Sequence, residues 1–349
     1  MKVTIRDVAK RAQVSPATVS RVLNKPELVD AATKDRVRAV MAELDFQPNA
    51  LARGLSVQRS ETLGLVIPGI NDLFFTELYR GIEKVSRENG MKLLLVDSQH
   101  SRTRAIEGFG FLKQHRVGGI IFTSKVVDED FDPLLERIGI PVALALTEGK
   151  GKTPLPAFKV DDVRAVFDVV SYLVARGHQR IGYISGQVQD DMTGQLRHHG
   201  YVSGLAHYGL PYRPEFVEPG DYRFDGGYTA MRKLLERQGT NHLTAVCTAS
   251  DEMAIGAMRC LYDNGLRVPE DISVVGFDDL SIARMVMPGL TTVAQPFAEI
   301  GEQVVRCLLE MIRSKHTYQP SGTYYLPHRL VERETVRNLN PDRARKETD

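Results

Sequence analysis

Short apolar runs that alternate with stretches of helical period constrain this chain more than any other feature. Thr62–Pro68, Lys92–Val96, Gly118–Thr123 and Pro141–Ala145 read as buried strands, and Phe75–Asn89 and Thr103–His115 between them carry apolar residues at helical spacing. A second series begins after Val160, with strands near Arg180–Ser185, Ala245–Thr248 and Ile272–Gly276. A strand that returns through a helix to a parallel neighbour is covered on both faces, so it reads as an unbroken apolar run. The two series predict an α/β body of two similar lobes with parallel sheets. Ligands of such sheets bind beyond the carboxyl ends of the strands, and two lobes facing each other form a cleft that hinge motion can close.

The first 46 residues have a different character. Thr4-Ile5-Arg6-Asp7 fits a capping box, after which Ile5, Val8, Ala9 and Ala12 recur at helical spacing. Gln13-Val14 interrupts, and Ser15-Pro16 restarts a helix, Ser as N-cap and Pro at the first helical position. Val19, Val22 and Leu23 then face inward, while Pro16, Ala17, Ser20 and Arg21 face out. A third amphipathic helix follows Asp30, with Val37, Val40 and Leu44 on one stripe. Two short helices so tightly connected predict a helix-turn-helix, although any small helical bundle gives a similar pattern. The outer face of the second helix separates the two readings. Its side chains are small except for Arg21, as a helix needs to enter a major groove about 12 Å wide. Arg21 can bond a guanine bidentately, Pro16 and Ala17 can touch thymine methyls, and Lys2, Lys10 and Arg11 are placed to clamp phosphates.

Charge supports an anionic partner at this end. The net formal charge is +1, yet residues 1–25 hold Lys2, Arg6, Lys10, Arg11, Arg21 and Lys25 against one acid, Asp7. A solvated terminal helix is the bland alternative. Cys247, Cys260 and Cys307 are too far apart for a CxxC site or a disulfide framework, which points to a reducing cytoplasm. No signal peptide is legible at Met1–Lys10, and no run approaches the ~20 apolar residues of a membrane span.

Residues 4–24, TIRDVAKRAQVSPATVSRVLN, closely resemble the DNA-binding head of the lactose-repressor/galactose-repressor (LacI/GalR) family. The resemblance continues through Gly64-Leu-Val-Ile-Pro68, Phe74-Phe75, Gly177-His-Gln-Arg-Ile-Gly182, Val268–Asp279 and Pro288–Val293, into a regulatory domain similar to periplasmic sugar-binding proteins. It implies a sequence-specific transcriptional repressor controlled by a small molecule, a sugar or sugar derivative, held between the lobes. It also implies a homodimer on palindromic operator DNA, no cofactor and no metal. Thr4, Ser15, Pro16, Ala17, Thr18, Ser20, Arg21 and Asn24 are the head's candidate DNA-binding residues. Gln13 stands where Gly or Asn is common.

The organisation expected is a helix-turn-helix domain at 1–46, a hinge at 47–60, an effector-binding and dimerisation body at 61–339 and a charged tail at 340–349. The lobes are expected at 61–160 plus 292–321 and at 161–291 plus 322–339. In the hinge, Pro48 ends the preceding helix and Asn49 can cap a new one of about two turns, which Gly54 weakens by up to ~1 kcal/mol. So short a helix is unstable alone in water. A plain linker is one reading; by resemblance the segment is a hinge helix that orders in the minor groove. Asn49, Leu51, Ala52, Arg53 and Leu55 are its DNA contacts, Leu55 the wedge between base steps.

Effector candidates follow from the same resemblance: Arg197, whose fork of donors can clamp hydroxyls or a carboxylate, Asp251 as an acceptor, and Asp72, Phe74, Asp191, Thr193 and Tyr222 around them. Arg197 as a solvated surface residue and Phe74 as core are the plain alternatives. Ser250 and Asp162 replace frequent Asn residues and Arg164 adds a bulky cation, which sets this pocket apart from ordinary monosaccharide sensors. No P-loop, HExxH or GxSxG motif is present, so an enzyme is not expected. A periplasmic binding or transport protein would account for the body but not for the head.

Overall fold

The computed structural model describes residues 3–24, 26–46, 60–123, 127–186, 192–237, 242–314 and 317–340, without the side chains of Asn24 and Met192. The hinge candidates Asn49, Leu51, Ala52, Arg53 and Leu55, together with Asp191, Lys2 and the tail beyond Asn340, lie outside the described residues. The chain divides into two compact units, residues 1–60 and 61–349.

In the first unit, α1 (Ile5–Arg11), α2 (Pro16–Asn24) and α3 (Ala31–Glu43) enclose a small core of Val8, Ala9, Ala12, Val19, Val22, Val37 and Val40. Asp7 accepts bonds from the N–H (2.8 Å) and hydroxyl (2.7 Å) of Thr4, which closes the first turn of α1. Ser15 Oγ accepts from the Thr18 N–H at 3.0 Å and starts α2. Asp30 does the same for α3 through Thr33 N–H at 2.9 Å. Gln13 adopts φ +54, a left-handed turn that explains why Gly or Asn is favoured there.

The second unit contains two six-stranded sheets. The first runs β1 (Thr62–Ile67), α4 (Leu73–Glu88), β2 (Lys92–Asp97), α5 (Arg102–Gln114), β3 (Gly119–Phe122), α6 (Asp132–Ile138), β4 (Val142–Ala145) and β5 (Pro156–Val160). The chain then builds α7 (Asp162–Ala175), β6 (Ile181–Ser185), α8 (Met192–His207), β7 (Val217–Pro219), α9 (Phe224–Arg237), β8 (Ala245–Thr248), α10 (Asp251–Asp263), β9 (Ser273–Asp278) and β10 (Thr291–Ala294) around the second sheet. It returns with α11 (Phe297–Arg313) and β11 (Gly322–Leu326) to the first sheet, and ends with β12 (Arg329–Val331) on the second. Strand order is β11-β5-β4-β3-β1-β2 in one lobe and β12-β10-β9-β8-β6-β7 in the other. All pairings are parallel except β10 with β12.

β1 shows why the sequence reads as it does. Leu63, Leu65 and Ile67 pack against α4 and α11, while Val66 joins the core under α5 and α6 on the opposite face. Both faces are dry, so alternation is lost and the strand is apolar throughout. The helices cross at close range. A Cβ on Gly81 of α4 would stand 1.9 Å from Ala298 O, and one on Gly301 of α11 would stand 2.4 Å from Leu78 O.

The lobe boundaries differ from the expected ones. β10 at 291–294 belongs to the second sheet and β11 at 322–326 to the first, so the chain crosses at 160–161, 295–296 and 327–328 rather than at 291–292 and 321–322. β11 and β12 are short and only Pro327-His328 separates them, so nothing in their composition marks a change of lobe.

Candidate functional site

The cleft between the lobes holds a cavity of about 360 Å³. Its wall is made where the parallel strands end: Pro68 after β1, Thr123 after β3, Leu146 after β4, Lys159 in β5, Ser250 after β8, Asp278 ending β9 and Gln295 after β10. Of the expected effector residues, Asp72, Phe74, Thr193, Arg197 and Tyr222 line this cavity. Asp251 does not. It stands behind the wall, fully buried, with Oδ2 accepting from the Leu280 N–H at 2.7 Å and Oδ1 from the Thr292 hydroxyl at 2.5 Å. Burial and the neighbouring Asp278 raise its pKa well above the carboxylate range, against the pull of those two bonds. Its place is to tie the Leu280 loop and β10 to the start of α10. Arg164 is also absent from the cavity; it is exposed and bonds Asp168 at 3.0 Å.

The cavity floor is ionic. Lys159 Nζ lies 2.8 Å from Asp162 Oδ2, and each side chain is only 2% exposed. Arg197 donates through Nε to Asp162 Oδ1 at 2.7 Å and through Nη1 to Ala249 O at 2.6 Å. Its guanidinium lies over the Phe277 ring, 3.7 Å from the centroid. Burial pushes the Asp162 carboxyl up, but the charges of Arg197 and Lys159 outweigh it and leave the pKa below the usual carboxylate range. Asp278, bonded by Gln295 Nε2 at 2.7 Å, goes the other way: burial lifts it to about 7 despite Arg197 and Gln295. Its backbone is strained, with φ +119, and the next residue, Asp279, has φ +55 and is held by Arg333 at 2.5 Å.

At the mouth, Arg223 crosses from one lobe to the other. It donates to Asn71 O at 3.2 Å and bonds Asp72 Oδ1, while reaching Glu252 on its own lobe at 3.4 Å. One wall is apolar, where Phe74 and Phe297 stack with centroids 6.0 Å apart. Sequence reasoning missed Lys159, Arg223, Asp278 and Gln295, and counted Asp162 only as a departure. A lysine inside the buried run Pro156–Val160 was the available signal for Lys159.

The raised Asp278 pKa carries a testable sign. A carboxyl whose folded pKa exceeds its unfolded value of 3.8 contributes stability that is complete at low pH and is lost as pH rises through about 7. Asp278→Asn keeps an acceptor for Gln295 and removes the titration. Its melting temperature relative to the parent is expected to rise between about pH 5 and about pH 8. A difference that does not change with pH would contradict the assignment.

In the head, Pro16, Ala17 and Arg21 are exposed together on α2, with Thr18 and Ser20 half-buried beside them. Thr18 Oγ1 and Ser15 Oγ are 2.9 Å apart, and Thr4 is engaged in its cap. Lys10 is exposed, whereas Arg11 is bonded to Glu43 at 2.6 Å, an exposed, solvent-screened pair that phosphate can displace.

A family profile described as "Bacterial regulatory proteins, lacI family" matches residues 4–49, and one described as "Periplasmic binding protein-like domain" matches residues 170–336. The chain is 36% identical over 337 residues to catabolite control protein A of Priestia megaterium, covering 97% of this chain and 100% of that protein. It is 33% identical over 336 residues to the HTH-type transcriptional repressor CytR of Escherichia coli (strain K12), covering 96% and 97%. Among solved structures, the Lac repressor dimer bound to operator and the anti-inducer ONPF superposes with a TM-score of 0.85 at 29% identity, over 97% of this chain and 100% of that one. The transcriptional regulator CelR–cellobiose complex gives 0.73 at 31% identity, over 95% and 99%. Head, body and full-length relatives agree: this chain belongs to the lacI family of bacterial transcriptional regulators.

Proposed function

We propose that this protein is a homodimeric, cytoplasmic repressor, without catalytic activity, whose operator affinity is set by a sugar or sugar derivative in the cleft. The observation that carries the reading is the cavity itself, lined by both an ionic cluster near the strand ends and a stacked aromatic pair. A sugar ring has an apolar face for Phe74 and Phe297 and a rim of hydroxyls for the floor. The CelR relative with bound cellobiose supports a carbohydrate, and the operator-bound Lac repressor dimer supports paired heads. One head spans a half-site, so two heads related by a two-fold axis match a palindrome. Pro16, Ala17 and Arg21 read bases in the major groove, with Thr4, Ser15, Thr18, Ser20 and Asn24 around them. Asn49, Leu51, Ala52, Arg53 and Leu55 enter the minor groove. No helix among the described residues is long and apolar enough to cross a membrane.

The test is selection of bound duplexes from a random pool. Full-length protein is expected to enrich a palindrome, and a chain lacking residues 1–60 to enrich nothing while its body stays folded. Arg21→Ala should relax preference at one base pair of each half-site by ~1–3 kcal/mol. Unaltered discrimination in that variant would take base reading away from Arg21, and the absence of any enriched sequence would overturn the DNA role.

A further inference from the structure

Accepting the cleft as the effector site, the two floor cations have more donors than their protein partners use, and they share one carboxylate between them. A lysine ammonium has three N–H donors. Lys159 is buried and lines the cavity, and among the described residues its ammonium pairs with Asp162 Oδ2. Arg197 has five donors, of which Nε and one on Nη1 are committed to Asp162 and Ala249. Gln295 gives one of its two amide N–H groups to Asp278. Donors buried without acceptors are costly, so whatever fills this space must bring oxygen lone pairs.

Charge narrows the choice. Both oxygens of Asp162 are taken, one by each cation, so two buried positive charges share one negative charge. Asp278 also lines the cavity, and burial keeps it partly protonated near neutrality. The other carboxylates of the wall are engaged around Arg223: Asp72 and Glu252 with its guanidinium, and Asp221 with its backbone N–H at 2.9 Å. Hydroxyls would satisfy the spare donors but leave the excess charge uncompensated. A phosphate brings up to two charges where the floor is short of one. A carboxylate supplies one charge and several acceptor sites, and the Thr123 hydroxyl, buried on the wall with no partner among the described residues, remains for a ring hydroxyl.

We propose that Lys159 is a specificity-determining residue of this cleft and that the effector is a sugar acid, a polyhydroxylated monocarboxylate received by Lys159 and Arg197. Calorimetry on full-length protein tests this with D-glucuronate, D-galacturonate and D-gluconate against D-glucose, D-galactose and D-glucitol, and with glucose 6-phosphate. At least one acid is expected to bind roughly tenfold or more tightly than its neutral counterpart. Lys159→Gln should remove that advantage, and Lys159→Arg should restore part of it. Should the variants fail to fold, the wild-type preference for the acid, and its weakening by added salt, decides alone. Neutral sugars or glucose 6-phosphate binding as well as the acids would overturn the sugar-acid inference and leave the carbohydrate cleft standing. Absence of binding across the whole panel would overturn both.

Discussion

An Arg197→Ala variant is expected to lose about 3–5 kcal/mol of stability and all response to effector, while keeping its affinity for operator below its lowered melting temperature. The large figure follows from burial. Arg197 is one of two cations holding Asp162, and its removal leaves that buried carboxylate with Lys159 alone. The Ala249 carbonyl loses its Nη1 donor and the Phe277 ring loses the guanidinium stacked on it. Arg197→Lys separates the roles. A single ammonium can keep the charge but lacks the planar fork that presents separate nitrogens to Asp162 and Ala249, so stability should recover in part and the effector response should not. Thermal denaturation and operator binding with and without ligand measure the two properties independently. Wild-type stability in Arg197→Ala would show that the ion cluster is not a structural cornerstone.

Gly81→Val should be nearly as damaging, at ~3 kcal/mol or more, although Gly81 is absent from the cavity lining. The neighbour in its way is the Ala298 backbone carbonyl, so no side-chain rotation relieves the clash; α4 and α11 must move apart. Both helices start at the cleft. Asp72 precedes α4 with Phe74 in its first turn, and Phe297 opens α11. Separation therefore disturbs the Phe74–Phe297 stack and the Arg223–Asp72 contact together. A matched loss of melting temperature and of ligand affinity is the expected result, and loss of stability with unchanged ligand affinity would show that the aromatic wall does not depend on this crossing.

The parallel core was legible because burial on both faces leaves a simple mark, an apolar run between helical stripes. Seven strands and the two helices at 75–89 and 103–115 were readable on that basis, as were the head's capping residues. β5, β7, β10, β11 and β12 were not, since they are short, lie at sheet edges or beside them, and carry residues such as Lys159, Thr291, Thr292, Tyr324 and Arg329. At the site, chemistry that resides in one motif was easier to see than chemistry assembled from several. Arg197 was recognisable within Arg197-His-His-Gly-Tyr201. Asp251 and Asp278 could be exchanged in a reading by sequence alone, because which of two acids reaches a cleft is decided by where β9 ends and how the Leu280 loop folds back. Lys159 gains its meaning only from Asp162 and Arg197, one a turn away in sequence and the other brought in by α8.

The triple passage of the chain between lobes also bears on how the protein is made. The first sheet lacks its outer strand until residues 322–326 have been synthesised, and its helix α11 comes only shortly before. The second sheet waits for residues 329–331. While the ribosome is still at work, then, the head can fold early from local contacts, but each lobe keeps an open flank until the final stretch emerges. A truncated product ending before residue 322 would leave both lobes unfinished, which makes such fragments natural substrates for chaperones and proteases.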